Sequence, residues 1–210
     1  MPISKIEDAV IAIARGEMVI VVDDEDRENE GDLIFASEDA TPDKIAFMMN
    51  KARGLICVAM DGARLDELDL PLMVPNNTES MKTAFTVSVD YIPGTSTGIS
   101  AADRAATVKA LVDPAARPEE FARPGHIFPL RANPQGVLGR TGHTEAAVDL
   151  CRMAGKLPSG VICEVSNDDG TMSRLTDLEL FGEQHGLLVV TIKDLVEYRL
   201  GLDDAKRSAA

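Results

Sequence analysis

Seven carboxylates and one guanidinium fall within the ten residues Asp23–Asp32 (DDEDRENEGD). So many like charges in a short segment repel one another unless positive charge lies among them. A divalent cation and the side chain of Arg27 are the two candidates for that charge. The segment is therefore a candidate metal site, and the alternative is a solvated acidic turn.

A second segment, Arg140–Glu145 (RTGHTE), precedes a helical pattern. We expect Thr141 or Thr144 to cap that helix, and Arg140 with the free N–H groups of the first turn to form an anion site. His143 lies at the same helix start, where the positive end of the helix dipole favours the neutral imidazole that binds metals. The alternative is an ordinary capped helix with an incidental arginine and histidine.

Three further features place polar groups beside apolar sequence. His126 follows Arg123-Pro124-Gly125 just before a predicted strand, and a lone histidine is most often structural or merely exposed. Glu164 interrupts the apolar run 160–165, so its carboxylate needs either a neighbour in the sheet or a polar site. The segment 94–98 (GTSTG) precedes a helix and either binds an anion or forms a plain capped loop. It is not a P-loop, because the GxxxxGKS/T pattern is absent.

Composition limits the classes of function. The 210 residues suit one domain, and a net charge of −14 argues against a nucleic-acid surface, which needs clustered lysine and arginine. The three cysteines contain no CxxC pair, so neither a zinc site nor a disulfide framework is indicated, and a reducing cytoplasm fits best. No apolar run approaches a membrane span and residues 1–16 are unlike a signal peptide. We expect a cytoplasmic protein with no nucleic-acid or membrane partner.

Periodicity and turn residues predict an α+β fold, an α/β sandwich whose mixed β-sheet is flanked by helices. We expect a single domain over residues 1–203 and a loose C-terminal tail, residues 204–210. Strand 83–89 should bury Phe85, Val87 and Val89 on one face. Residues 73–82 form an unusually long loop that is typical of a lid or binding loop. The predicted helices are 5–15, 42–51, 63–68, 100–112, 140–155, 176–185 and 194–200, and the predicted strands are 18–22, 33–35, 55–60, 83–89, 127–132, 160–165 and 187–192.

Five segments resemble, in order, the motifs of the 3,4-dihydroxy-2-butanone 4-phosphate synthase family. They are Asp23–Asp32, Gly94–Arg104 (GTSTGISAADR), Arg123–His126, Arg140–Glu145 and Gly160–Glu164 (GVICE). Any one of them is modest support, whereas the ordered set is highly specific. The resemblance therefore favours a role in metal binding, substrate binding or catalysis for each segment over a purely structural role as a turn, loop or helix cap.

The resemblance implies a lyase of riboflavin biosynthesis that converts D-ribulose 5-phosphate to 3,4-dihydroxy-2-butanone 4-phosphate and formate. It implies a divalent cation, Mg²⁺ or Mn²⁺, held by Glu28 and His143 with substrate oxygens and water completing the shell. It implies catalytic roles for His126, Glu164 and Asp32. The corresponding substrate-binding positions are Arg27, Glu28, Asp32, Arg140, Thr141, Gly142, His143, Thr144 and Glu164.

Three further expectations concern the assembly, the first proton transfer and the role of Cys57. The family's assembly implies a homodimer with the site at the subunit interface. Asp32 and Glu30 compete for the first proton, and the residues leave that choice open. Cys57, in a strand that resembles a family segment near the site, is expected to be a packed core thiol.

Two rival hypotheses remain. Asp26, Glu28 and Glu30 occupy positions 1, 3 and 5 of an EF-hand-like count, which would suit a calcium-binding module. The twelfth position is then Ser37 instead of glutamate, and the flanks are predicted strands where an EF-hand needs helices. The second rival is a catalytically inactive relative that serves only as a partner subunit.

Overall fold

Seven strands form one mixed sheet in the computed structural model, which describes residues 3–208 and, for side chains, residues 3–202. The order across the sheet is β4-β5-β3-β6-β2-β1-β7, with β1–β7 and β3–β5 parallel and the other neighbours antiparallel. This arrangement confirms the predicted α+β fold with a mixed sheet. The strands are β1 (Val19–Val22), β2 (Gly31–Ala36), β3 (Cys57–Met60), β4 (Val89–Tyr91), β5 (Phe121–Arg131), β6 (Ser159–Glu164) and β7 (Leu188–Thr191).

Helices cover both faces of the sheet. Alternate residues of a strand enter opposite cores, so Ile20 and Leu33 face one layer of helices while Val21 and Ile34 face the other. Burial on both faces explains the uninterrupted apolar runs of the central strands. One layer holds α1 (Ile6–Ala14), α5 (His143–Met153) and α7 (Ile192–Ser208), and the other holds α2 (Pro42–Phe47), α3 (Gly62–Glu67), α4 (Ala101–Val112) and α6 (Leu175–His185).

The predicted strand 83–89 and its apolar face are wrong except at Val89, which is in a strand and fully buried. Strand β4 begins only at Val89, and Phe85, expected in the core, is half-buried. Thr86 is fully buried instead, because its N–H and its hydroxyl both donate to Pro129 O, at 3.0 and 2.8 Å. A polar side chain that finds its partners on a neighbouring strand can be buried in place of an apolar one, which simple alternation does not foresee.

Strand β5 differs from its predicted form. It starts at Phe121, upstream of the predicted strand, and therefore includes the segment that ends at His126. The pairing register shifts between Val89 and Asp90 of β4, so residues 123–126 bulge out of the ladder. Bulges re-aim side chains, and His126 is exposed here.

Two helix ends also differ from expectation. Gly142 is the N-cap of α5 and no side chain caps that helix, so the predicted cap by Thr141 or Thr144 is wrong. Helix α7 extends to Ser208, beyond its predicted end at residue 200. Residues 1–2 of the predicted domain and 209–210 of the predicted tail lie outside the described residues. Within residues 3–208, no helix is long and apolar enough to cross a membrane.

Candidate active site

The acidic loop joins β1 to β2 and is organised by Asp23. The Asp23 carboxylate accepts hydrogen bonds from Arg27 Nη1 at 2.8 Å and from the backbone N–H groups of Glu28 and Glu30 at 3.1 and 2.8 Å. Its side chain has no exposed surface. These bonds hold the two glutamates in place. Sequence reasoning treated Asp23 only as one charge of the run, although an aspartate directly after a strand is a frequent loop-forming residue.

Because strands flank the acidic loop, the calcium-binding hypothesis is wrong. An EF-hand loop lies between two helices, whereas β1 and β2 flank this one. Three side chains of the loop, those of Arg27, Glu28 and Glu30, line a cavity instead. The acidic run is therefore part of a concave site and not a freely solvated turn.

The cavity has a volume of about 150 Å³ and lies where the acidic loop, β2, β6 and the start of α5 meet. Thr141, Gly142 and His126, which belonged to the predicted site, do not line it. Sequence reasoning missed the lining residues Glu79, Thr83, Phe85, Leu130 and Ile162, of which Glu79 lies in the predicted binding loop 73–82. The structure brings eight predicted residues together here: Arg27, Glu28, Glu30, Asp32, Arg140, His143, Thr144 and Glu164.

His143, the first residue of α5, is buried between carboxylates. Its Nδ1 atom lies 3.6 Å from Glu28 Oε2 and 3.9 Å from Asp32 Oδ1, which are ion-pair distances longer than a hydrogen bond. Burial lowers the pKa of His143, but the carboxylates outweigh burial and raise it to about 9. The sequence predicted a neutral ring from the helix dipole; the surrounding carboxylates favour the protonated ring. Contact with His143 and the charge of Arg27 lower the pKa of Glu28 to about 2.

Three further carboxylates face the cavity. Burial raises the pKa of Asp32 to about 8, against the opposing attraction of His143, and nearby carboxylates add to the rise. Burial and a neighbouring glutamate raise the pKa of Glu30. Glu164 is half-buried, and its Oε2 accepts a hydrogen bond from Leu55 N–H at 2.7 Å. The site therefore holds carboxyl groups whose proton affinities differ, as acid–base chemistry requires.

Arg140 connects α5 to the long loop. Its Nη1 donates to Glu145 Oε2 at 2.6 Å, and its Nη2 donates to Thr83 Oγ1 at 2.9 Å and to Met81 O at 3.2 Å. Glu145 is buried, so this ion pair fixes the guanidinium at the cavity wall beside Thr144. Most of the Arg140 donors have protein partners, and the guanidinium therefore also serves as a brace between the two segments.

Cys57 is a buried residue of the cavity wall. It is 2% exposed, as expected for a packed core thiol. Burial raises the pKa of the Cys57 thiol well above its ordinary value, and the carboxylates of Glu164 and Asp32 raise it further. The group is therefore a neutral thiol and not a thiolate nucleophile.

The donor atoms of the cavity fit a divalent cation. Among the described residues, the buried atoms His143 Nε2 and Asp32 Oδ1 have no hydrogen-bond partner. Ligand atoms of Asp23, Glu28 and His143 lie within 4.8 Å of one another. The Asp23 oxygens already accept three loop hydrogen bonds, which leaves Glu28 and His143 as the better candidates. Carboxylate oxygens suit Mg²⁺ or Mn²⁺, and His143 would add one nitrogen donor to them.

Comparison with known proteins shows the family of the chain. Residues 7–198 match the 3,4-dihydroxy-2-butanone 4-phosphate synthase family. The chain is 79% identical over 201 residues to the 3,4-dihydroxy-2-butanone 4-phosphate synthase of Agrobacterium fabrum, covering 96% of this chain and 94% of that one. It is 49% identical over 202 residues to the enzyme of the same name from Vibrio parahaemolyticus, covering 96% and 93%.

Solved structures show the same fold. A 3,4-dihydroxy-2-butanone 4-phosphate synthase in complex with two magnesium ions superposes with a TM-score of 0.89 at 45% identity, covering 93% of this chain and 96% of that one. The two-domain RibBX enzyme of A. baumannii superposes with a TM-score of 0.90 at 50% identity, covering 93% of this chain and 58% of that one. The chain belongs to the 3,4-dihydroxy-2-butanone 4-phosphate synthase family.

Proposed function

We propose that this protein is a lyase of riboflavin biosynthesis that converts D-ribulose 5-phosphate to 3,4-dihydroxy-2-butanone 4-phosphate and formate in the presence of Mg²⁺. The observation that carries the proposal is the meeting of Glu28 and His143 with Asp32 and Glu164 in one cavity. Two findings support the proposal: the chain belongs to the 3,4-dihydroxy-2-butanone 4-phosphate synthase family, and it is 79% identical to a relative of that name. A catalytically inactive relative is the remaining rival, and turnover of ribulose 5-phosphate decides between them.

Glu28 and His143 are the proposed metal ligands, and Mg²⁺ is the proposed ion, with Mn²⁺ as an alternative of similar ligand preference. The ion supplies Lewis acidity toward sugar oxygens when it is bound. Two features of the chain support the pair. The low pKa of Glu28 keeps that carboxylate charged, and His143 Nε2 is buried without a partner among the described residues.

Asp32, Glu30 and Glu164 are the proposed proton-transfer groups inside the cavity. Removal of a proton beside a ketone, dehydration and release of formate all need groups that exchange protons near neutral pH. The pKa of Asp32, about 8, meets that need, and the raised pKa of Glu30 makes it the competing base. Glu164 accepts a hydrogen bond from Leu55 N–H and lines the cavity.

Arg140 and Thr144 are the proposed phosphate-binding residues, with Arg27 and the segment 141–142 as further substrate contacts. A guanidinium binds phosphate through directed N–H groups, and the N–H groups at the start of α5 add partial positive charge. Cations are needed here because carboxylates dominate the cavity and repel an anionic substrate. Arg140 and Arg27 are the two arginines that line it.

We also propose a homodimer whose sites form at the subunit interface. His126 is exposed on β5 and does not line the cavity of its own chain. A twofold dimer would place this histidine in the site of the partner and produce two equal sites. Thr141 and Gly142 lie in the chain between two residues that line the cavity but do not line it themselves. In a dimer, groups from the second chain would extend the site toward them.

Mixing two inactive variants tests the shared site. If His126 acts across the interface, Glu28→Gln and His126→Ala subunits should restore activity when mixed, because roughly half the dimers contain one intact site. Absence of restoration, with subunit exchange demonstrated by mass, would place both residues in one chain's site. A monomer by light scattering at assay concentration would rule out the dimer.

A further inference from the structure

Asp90 and His126 form a pair outside the cavity. Asp90 Oδ2 lies 2.6 Å from His126 Nδ1, and Asp90 Oδ1 accepts a hydrogen bond from the backbone N–H of His126 at 2.9 Å. The Asp90 side chain is 13% exposed and that of His126 is 44% exposed. One carboxylate therefore holds both the backbone and the ring of the same residue, while the rest of the ring faces outward.

This pairing determines which nitrogen of the His126 ring carries the proton. A carboxylate oxygen can only accept a hydrogen bond, so Nδ1 must donate. In the neutral ring, Nε2 then keeps its lone pair. Nε2 is consequently the atom that is free to exchange a proton with a substrate.

Two glycines fit the backbone closely around the pair. A Cβ atom at Gly98, where φ is +86°, would lie 2.0 Å from Asp90 Oδ2, so any side chain there would displace the carboxylate. A Cβ atom at Gly125 would lie 2.0 Å from Val89 C, so the bulge that carries His126 packs directly against β4. Both contacts restrict the position of the pair.

The hydroxyl-rich segment 94–98 is held against the pair by a second aspartate. Asp103 Oδ2 accepts hydrogen bonds from Ser96 Oγ at 2.7 Å and from Gly98 N–H at 3.0 Å. Asp103 N–H is in turn capped by Ser100 Oγ at 3.0 Å, which fixes the start of α4. The segment 94–98, a candidate anion site in the sequence, is therefore a loop held by Asp103 that packs against Asp90 at Gly98.

We propose that Asp90 is the positioning residue of His126: it fixes the ring orientation and the Nδ1–H tautomer, so that Nε2 is presented for proton transfer. The proposal rests on the catalytic role proposed above for His126. Asp90 lies outside the five segments that resemble the family's motifs. An aspartate that only stabilised the bulge would have no reason to bind the ring nitrogen as well as the backbone.

Asp90→Asn is the direct test. The backbone N–H of His126 still requires an acceptor, so the amide oxygen should keep that bond and the amide nitrogen should face the ring. A donor facing Nδ1 favours the opposite tautomer, with the proton on Nε2. We expect kcat for ribulose 5-phosphate to fall by about 10²- to 10⁴-fold, the usual contribution of acid–base catalysis, with KM within about twofold.

Nitrogen-15 NMR of the histidine rings gives a readout that does not depend on turnover. The chain has three histidines, so the His126 signals are assigned by comparison with His126→Ala. Spectra are recorded in alkaline buffer, because only a neutral ring has two tautomers. The wild-type ring should show Nδ1–H, and Asp90→Asn should show Nε2–H. Asp169→Asn, which replaces an exposed aspartate of a remote turn, should change neither tautomer nor kcat.

The outcomes separate the two proposals. An unchanged tautomer in Asp90→Asn overturns the positioning role. The role is also overturned if the tautomer changes in Asp90→Asn but kcat does not, provided that His126→Ala is inactive. If His126→Ala is fully active, the catalytic role of His126 fails instead, and the inference fails with it. If Asp90→Asn does not fold, Asp90→Ala replaces it, since the methyl group neither accepts from nor donates to the ring; the Nδ1–H form should then lose its preference and kcat should fall, and retention of pure Nδ1–H with wild-type kcat overturns the positioning role.

Discussion

Asp32 on β2 and Glu164 on β6 are direct cross-strand partners in an antiparallel pair. Side chains of such partners extend from the same face of the sheet, and both of these line the cavity. Two strands far apart in the chain thus bring two carboxyl groups together. Burial raises the pKa of Asp32, and the charge of Glu164 raises it further. Burial, with this register, therefore raises the proton affinity of Asp32 above that of an exposed aspartate.

Removal of either proposed metal ligand should abolish magnesium-dependent turnover. We expect Glu28→Gln and His143→Ala each to reduce kcat/KM by more than about 100-fold, because even residues that only orient ligands contribute 10- to 100-fold. Both variants should fold, since one residue lies on a loop and the other at a helix start. Glu25→Gln, an exposed carboxylate of the same loop, is the matched control. Wild-type activity in Glu28→Gln or His143→Ala would contradict the metal assignment.

Magnesium binding should release protons. The carboxylates around His143 outweigh burial and raise its pKa to about 9, whereas a metal-bound ring must be neutral. Binding near neutral pH therefore displaces a proton, and affinity should rise about tenfold per pH unit up to about pH 9. Calorimetric titration in two buffers of different ionisation enthalpy measures the release. A heat that is independent of the buffer would show that His143 is not a ligand.

Arg140→Lys should be nearly as damaging as Arg140→Ala. A lysine does not reproduce the planar set of donors that bind the long loop and are proposed to bind phosphate. We expect KM for ribulose 5-phosphate to rise about 10- to 100-fold in both, since hydrogen bonds to charged groups contribute about 1.5–3 kcal/mol. The loss should be smaller for a sugar without phosphate. An unchanged KM for the phosphorylated substrate would remove Arg140 from the phosphate site.

Asp149→Ala should destabilise the fold without involving the cavity. Asp149 is fully buried, pairs with Arg199 and accepts a hydrogen bond from Val137 N–H at 2.9 Å. Loss of one partner of a buried ion pair typically costs about 3–5 kcal/mol in the free energy of unfolding. Asp168→Ala, whose side chain is 95% exposed, should cost less than about 1 kcal/mol. Equal denaturation midpoints for the two variants would refute this difference.

The central strands and the acidic loop could be predicted because each depends on local sequence. An apolar run bounded by a polar, glycine-containing segment folds as strand, loop and strand in most contexts. The motifs also contain Glu28, Asp32 and His143, which the structure brings together in one cavity. These residues are prominent because charges beside apolar strands are unusual without a function.

The errors concern contacts between distant segments. Burial of Thr86 depends on Pro129 O of β5, and the alternation of residues 83–89 contains no information about that acceptor. The position of His126 depends on a register shift against β4, which likewise has no local signal. The protonated state favoured at His143 depends on carboxylates more than a hundred residues away along the chain, which outweigh burial. These contacts form only when the sheet is assembled, so the local sequence does not predict them.

Formate release is the measurement that tests the central claim most directly. The purified protein is incubated with D-ribulose 5-phosphate and Mg²⁺, and formate and the four-carbon phosphate are quantified together. The proposed reaction predicts one formate for each ribulose 5-phosphate consumed, loss of turnover when the metal is chelated, its return when Mg²⁺ is added, and no turnover in Glu28→Gln. Absence of formate from the folded, magnesium-supplied wild-type protein would contradict the proposed function.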